Sequence, residues 1–69
     1  MKFKDLLIKL PKDLKVCVFY SSNAYRPYFT QSVNDWLDES WNSIQLNMEV
    51  IDYLRFKDSI SITLKEKEL

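Results

Sequence analysis

The sequence contains no histidine and no glycine, only one cysteine and only two prolines among its 69 residues. Without histidine, the chain has no imidazole that could act as a general base near neutral pH or as a zinc ligand. Without glycine, it cannot form the glycine-rich loops that hold nucleotide phosphates. Its single cysteine, Cys17, can form neither a disulfide nor a cysteine cluster within one chain. We therefore predict that the protein is not an enzyme and that it holds no metal ion or other cofactor.

The charges balance overall but separate along the chain. Ten Lys and Arg side chains match ten Asp and Glu side chains, so the formal net charge is zero. This balance argues against general nucleic-acid binding, which normally requires a basic excess. Residues 31–54 nevertheless contain five acids and no base, namely Asp35, Asp38, Glu39, Glu49 and Asp52. This acidic segment is either a solvated surface or a contact face for a basic partner.

The composition is that of a folded domain, because 46% of the residues are hydrophobic and 29% are charged. A chain of this length is expected to form one domain over residues 1–69 with a small core. The opening residues, Met1 to Leu10, lack the pattern of a signal peptide, because Lys9 interrupts the apolar stretch. No segment has the roughly 18 to 20 apolar residues that span a bilayer. We expect a cytoplasmic protein without a membrane segment.

Two segments have the apolar spacing of helices. The first covers residues 4–10 and ends before Pro11. The second covers residues 32–45, where Ser32 is predicted to be the N-cap. We expect its apolar stripe to face the core; the stripe consists of Val33, Leu37, Trp41, Ile44 and Met48. Both tryptophans are expected to lie mostly in the core; of the two, Trp36, at the boundary of this stripe, is the better candidate for an exposed contact residue.

Three segments have the pattern of strands. Residues 14–20 are apolar on both faces, which predicts a central strand that is covered on both sides. Residues 49–57 and 59–65 form two further strands, and the regular alternation of the second favours a half-buried antiparallel strand with an exposed edge. The segment around Pro27 is either an edge strand or an extended loop. The predicted fold is α+β: one small domain with two short helices packed on a mainly antiparallel sheet of three to four strands.

A recognition surface is predicted from the segment rich in tyrosine and from the acidic helix. Tyrosine and arginine dominate interface hot spots, and a neighbouring acidic face can orient a partner. The predicted partner-binding residues are Tyr25, Arg26, Tyr28, Asp35, Trp36, Asp38 and Glu39. The alternative is that the rings only cover the edge of the core and that the acids are merely solvated. Cys17 is interpreted as a small buried hydrophobic residue.

Three stretches of the sequence resemble those of small phage-encoded proteins. These are MKFKDLLIKL at residues 1–10, LPKDLKV at residues 10–16 and ITLKEKEL at residues 62–69. The last is similar to the end of an inhibitor of the anti-CRISPR family, whose targets are RNA-guided defence nucleases. The resemblance implies a stoichiometric inhibitor that docks an acidic surface into the nuclease groove where DNA would lie. Such inhibitors are strongly acidic overall, whereas this chain is neutral, so residues 35–52 would have to supply that surface.

Three functions are therefore compared. The first, which we favour, is a protein-binding module, expected to be a phage inhibitor of a host enzyme or defence nuclease. The second is a structural or regulatory homo-oligomer, such as a homodimer, assembled through the final strand. The third is a weak binder of single-stranded nucleic acid that stacks bases on Arg26 and its aromatic neighbours.

Overall fold

The fold alternates short helices with strands of a single sheet. It is described from a computed structural model that covers residues 1–23 and 25–66. The elements in chain order are α1 (Phe3–Leu7), β1 (Lys15–Tyr20), β2 (Phe29–Ser32), α2 (Val33–Trp36), α3 (Glu39–Leu46), β3 (Glu49–Arg55) and β4 (Ser59–Lys65). The last three residues of the closing stretch that resembles phage inhibitors lie outside the described residues. The α+β class is confirmed, with three short helices where two were predicted.

The sheet is mixed, with the strand order β2-β1-β4-β3. Strand β1 is antiparallel to β2 and parallel to β4, with Val16 opposite Ile60 and Val18 opposite Ile62. Strands β3 and β4 form an antiparallel hairpin whose register shifts between Val50 and Asp52. The first and last strands of the chain thus form the centre of the sheet.

The prediction that the final strand is an exposed edge is wrong. Strand β4 has β1 on one side and β3 on the other, and its residues Ile60, Ile62 and Leu64 are buried. Its alternating pattern correctly indicates one buried face, but such a pattern does not distinguish a central strand from an edge strand. The edges of the sheet are β2 and β3.

The core lies between one face of the sheet and the three helices. Its fully buried side chains come from every element except the edge strands: Phe3, Leu7, Val16, Val18, Val33, Trp36, Leu46, Ile60, Ile62 and Leu64. Cys17 and Phe19, whose side chains point to the other face of β1, are only half-buried. The expectations that β1 is covered on both sides and that Cys17 is buried are therefore wrong, because the helices cover one face only.

The predicted second helix is interrupted, and the interruption turns Trp41 and Ile44 of its apolar stripe outward. Ser32 is confirmed as the N-cap of α2, since its Oγ accepts the Asp35 N–H at 3.2 Å. At Asp38 the backbone becomes extended and a new cap begins α3, where the Asp38 carboxylate accepts the Ser40 N–H at 3.1 Å. Because the helical phase is lost there, Trp41 and Ile44 remain 83% and 75% exposed instead of facing the core.

The β3–β4 turn forms without glycine because a side chain binds its carbonyl groups. The guanidinium of Arg55 donates to the carbonyl oxygens of Lys57 at 3.2 Å and Ser59 at 3.3 Å, and also to that of Phe56. The main chain closes the turn through the Phe56 N–H, which donates to the Ser59 carbonyl at 2.8 Å. None of the helices in the described part of the chain is long and apolar enough to cross a membrane.

Candidate protein-binding surface

The loop between β1 and β2 projects aromatic side chains from one end of the sheet. Its base is fixed to β4 by the Ser21 N–H, which donates to the Leu64 carbonyl at 2.9 Å, and the Tyr28 N–H donates to the Val18 carbonyl at 2.7 Å. Tyr25, which precedes Pro27 by two residues, is 96% exposed. The segment is thus loop up to Tyr28 and edge strand from Phe29 onward, so both predicted alternatives hold in part.

A chain of ring contacts connects this loop to the core. The ring centroids are 4.6 Å apart for Tyr20 and Tyr28, 6.5 Å for Tyr28 and Phe29, and 6.1 Å for Phe29 and Trp36. Trp36 in turn packs edge-on against Phe3 at 5.4 Å. These separations are typical of favourable aromatic pairs. The exposed rings of Tyr28 and Phe29 are therefore held in place by their contacts with Tyr20 and Trp36.

Trp36 supports this surface from inside the protein. It is only 1% exposed, and its indole N–H donates to the Val16 carbonyl at 3.0 Å. The prediction that Trp36 is an exposed contact residue is wrong, because α2 directs it into the core between Phe3 and Phe29. The exposed tryptophan is Trp41, which the sequence pattern had assigned to the core stripe.

Helix α3 lies beside the aromatic loop and β2. The Gln45 side-chain amide donates to the Tyr20 hydroxyl at 3.1 Å, while the Asn42 side chain accepts from Gln31 of β2 at 3.5 Å. Burial raises the pKa of the Tyr20 phenol above its ordinary value, so this hydroxyl loses its proton at a higher pH than a solvated phenol does. Trp41 and Ile44 each immediately precede one of these anchored residues. They are thus carried on a helix that the Gln45–Tyr20 hydrogen bond attaches to the aromatic end of the sheet.

The acidic residues of the predicted site are grouped at the other end of β2. Asp35 lies in the first turn of α2, Asp38 caps α3, and the Glu39 carboxylate accepts from the Lys4 ammonium at 3.2 Å. Strand β2 has four residues, which is about 13 Å at the usual rise of about 3.3 Å per residue. The predicted site is therefore divided between two ends of this strand, with Tyr25, Arg26 and Tyr28 before it and the acids after it.

We group the exposed apolar residues of the β1–β2 loop, β2 and α3 as a revised candidate site. We call it the aromatic surface, and it consists of Tyr25, Tyr28, Phe29, Trp41 and Ile44. Sequence reasoning had placed the two tyrosines in the predicted site, and it missed Trp41 and Ile44. The signal that could have identified Trp41 and Ile44 is Asp38, since an aspartate within a predicted helix can begin a new one and change its phase.

A shallow depression of about 200 Å³ lies among residues of β1, β3 and β4. It is lined by Phe19, Asp52, Tyr53, Leu54, Ser61 and Thr63. Its lining contains one carboxylate, Asp52, which accepts the N–H of the adjacent Tyr53 at 2.9 Å. Within residues 1–23 and 25–66, no three His, Cys, Asp or Glu side chains form a group that could hold a metal ion.

No family model, curated protein or solved structure matches this chain. The candidate site therefore depends on its geometry, its exposure and its charge.

Proposed function

We propose that this chain is a non-enzymatic protein-binding domain that contacts its partner through the aromatic surface. The observation that supports the proposal is the orientation of α3, which exposes Trp41 and Ile44 although both could have served as core residues. Isolated apolar residues are common on protein surfaces, but five large ones on one loop, one strand and one adjoining helix form a group typical of interaction sites.

The support beneath this surface favours tight contact. Tyr28 and Phe29 are stacked on Tyr20 and Trp36, so fewer rotamers are lost when a partner covers them. Large aromatic anchors at the centre of an interface typically contribute about 2 kcal/mol or more each. The aromatic surface thus combines exposed rings with a rigid base.

The acidic end of α3 indicates the charge of the partner. Glu39 is paired with Lys4, whereas Asp35 lies in the first turn of α2 and Asp38 accepts hydrogen bonds from Ser40. Because the acidic segment contains no base, we expect a partner with an apolar cleft flanked by basic groups. A phage inhibitor acting in the host cytoplasm on a nuclease or another nucleic-acid-processing enzyme would meet such a surface. That identity and that location stay predictions.

The test compares matched alanine variants in capture and affinity measurements. Immobilised wild-type protein is exposed to a bacterial lysate, and a stoichiometric partner is then purified and its affinity measured by calorimetry. We expect Tyr28→Ala combined with Trp41→Ala to weaken binding at least about 30-fold, which corresponds to about 2 kcal/mol. Ile8→Ala is the control, because Ile8 is 59% exposed but is the C-cap of α1, outside the aromatic surface.

Two outcomes would contradict the proposal. One is a partner whose affinity is equally reduced by the double variant and by the Ile8 control. The other is turnover of a substrate by the purified protein. The alternative of single-stranded nucleic-acid binding stays a prediction, and a gel shift titrated with salt tests it separately.

A further inference from the structure

The two edges of the sheet differ in their protection against pairing with a further strand. Strand β3 carries Glu49, Asp52 and Arg55, and its register against β4 is irregular between Val50 and Asp52. Charged side chains and bulges of this kind protect an edge strand. Strand β2, with the sequence FTQS, carries neither a charge nor a proline, and its four residues pair with β1 in one continuous register. The unprotected edge of the sheet is therefore β2.

The backbone of Thr30 points away from the sheet at this edge. The Val33 N–H donates to the Leu14 carbonyl at 2.9 Å, in the same register that joins β1 and β2. Because alternate residues of an antiparallel pair direct their N–H and C=O groups toward the partner strand, Gln31 and Phe29 also face β1. Thr30, which lies between them and is exposed, directs its N–H and C=O outward. These are the groups that an added strand would bind.

The aromatic surface adjoins this edge on the side of the helices. The ring of Phe29 contacts that of Trp36 at 6.1 Å, and the Gln31 amide donates to Asn42 of α3 at 3.5 Å. The side chains of Phe29 and Gln31 therefore point toward the helical layer. A strand added beside β2 would direct every second side chain to the same side, toward Phe29 and the exposed apolar residues of α3. These alternate side chains would have to be apolar.

The charges beyond the two ends of β2 indicate those of the added strand. Asp35 and Asp38 follow β2, within a segment that contains no base from residue 31 to residue 54. Arg26 precedes the strand. Interfaces bring opposite charges together, so we expect basic residues at the end of the added strand that lies beside α2.

We propose that the partner contributes an extended segment that pairs with β2 through the backbone of Thr30 and lengthens the sheet by one strand. This inference rests on the proposed function and describes the partner more closely. Its segment is apolar at every second residue and basic at the end beside Asp35 and Asp38. Main-chain hydrogen bonds supply affinity in such strand addition, and the alternate side chains supply specificity. The segment forms one wall of the apolar cleft that we expect around Trp41 and Ile44.

A display library of random peptides tests the proposal without knowledge of the partner. Peptides of about twelve residues are long enough to include a strand. They are selected on immobilised wild-type protein, and the affinity of an enriched peptide is measured by calorimetry. We expect enriched peptides to alternate apolar and polar residues and to carry lysine or arginine at one end. A library that yields no enriched peptide would overturn the proposal, as would enriched peptides with helical spacing of their apolar residues.

Backbone methylation of an enriched peptide tests the pairing while the protein stays unchanged. Methyl groups on one alternate set of N–H groups block the hydrogen bonds to β2, whereas those on the other set point to solvent. We expect the first set to weaken binding at least about 10-fold and the second to weaken it less than about twofold. Equal effects of the two sets would show that the peptide does not bind as a strand.

Thr30→Pro locates the pairing on β2, because it removes the outward N–H and leaves the bonds to β1 in place. We expect it to weaken peptide binding at least about 10-fold, whereas Thr30→Ala, which retains the N–H, changes it less than about twofold. Circular dichroism establishes that both variants are folded. If the proline variant is not, loss of peptide binding on Tyr28→Ala combined with Trp41→Ala locates the peptide at this edge.

The same variants separate this inference from the proposed function. If the double alanine variant weakens partner binding but folded Thr30→Pro does not, the aromatic surface is the contact site and strand pairing is wrong. If neither weakens it, the proposed function fails as well. Sedimentation velocity of the free protein addresses a second copy as the occupant, and a dimer that Thr30→Pro dissociates would overturn the proposal.

Discussion

Asn42 holds the corner between α2 and α3, and its removal gives the sharpest test of the structure. Asn42 is 7% exposed, and its Nδ2 donates to the carbonyl oxygens of Asp35 at 2.9 Å and Asp38 at 3.3 Å. Its own backbone is non-helical, with φ −122° and ψ 17°. The side chain therefore fastens the end of one helix to the beginning of the next. It fixes the direction in which α3 presents Trp41 and Ile44.

Asn42→Ala removes both of these hydrogen bonds. Each contributes a net of about 0.5–1.5 kcal/mol to the free energy of unfolding, so we expect a loss of about 2 kcal/mol. The Gln31 contact at 3.5 Å is too long to add much. For a domain of about 60–100 residues, 1 kcal/mol corresponds to about 4–8 °C in Tm. The expected fall in Tm is therefore about 8–16 °C.

Asn47→Ala is the matched control. The Asn47 amide also donates to a backbone carbonyl, that of Ser43 at 2.7 Å, but the residue is exposed, so water replaces the lost bond. We expect this control to cost less than about 0.5 kcal/mol. Thermal unfolding followed by circular dichroism and chemical unfolding followed by tryptophan fluorescence measure both variants. Two Tm values that agree within about 2 °C would refute the reasoning, because the buried amide would then contribute no more than the exposed one.

Two further predictions concern Asp38 and Tyr20. Asp38→Ala is expected to cost about 1 kcal/mol in unfolding free energy because α3 loses its N-cap, whereas Asp38→Asn retains a good cap and removes the charge. If the folded Asp38→Asn variant binds the partner more weakly than the wild type, the charge of Asp38 contributes to the contact. If Asn destabilises the protein as much as Ala does, the capping role is contradicted. The raised pKa of Tyr20 means that its contribution to folding stability is full below the unfolded value of about 10 and is lost as the pH rises through the folded pKa. Ultraviolet titration is expected to show one tyrosine that ionises late and that disappears in Tyr20→Phe; a curve unchanged by this substitution would contradict the assignment.

The strands could be predicted from the sequence because their patterns are local. The alternation of Ile60, Ile62 and Leu64 correctly locates β4 and its buried face. The position of β4 in the sheet could not be predicted, because it depends on parallel pairing with β1 across more than 40 residues of chain. No local pattern encodes a contact between strands so far apart in sequence. Because this pairing could not be predicted, β4 was assigned to the edge of the sheet, and the edge position of β3 was not predicted.

The candidate site was predicted only in part because the helical phase changed. Tyr25 and Tyr28 were correctly expected to be exposed, since they flank Pro27 in a loop. The two tryptophans exchanged roles: the continuous helix predicted from residues 32–45 placed Trp41 in the core stripe and Trp36 at its boundary. The extended backbone at Asp38 changes the helical phase and leaves Trp41 exposed, while α2, which precedes Asp38, directs Trp36 inward.

The orientation of α3 also bears on what the domain requires to be stable. Its buried residues are Asn42 and Leu46. Helix α3 therefore contributes one apolar side chain to the core, while its other buried side chain, that of Asn42, forms the hydrogen bonds between α2 and α3. A helix turned so that Trp41 and Ile44 faced inward would bury far more apolar surface, and full burial of one such side chain is worth about 1.5–3 kcal/mol. The Asp38 cap and the Asn42 bonds both oppose that alternative. The fold thus leaves two large apolar side chains out of the core, although a small domain has little stability in reserve. A partner that covers Trp41 and Ile44 would bury this apolar surface on binding.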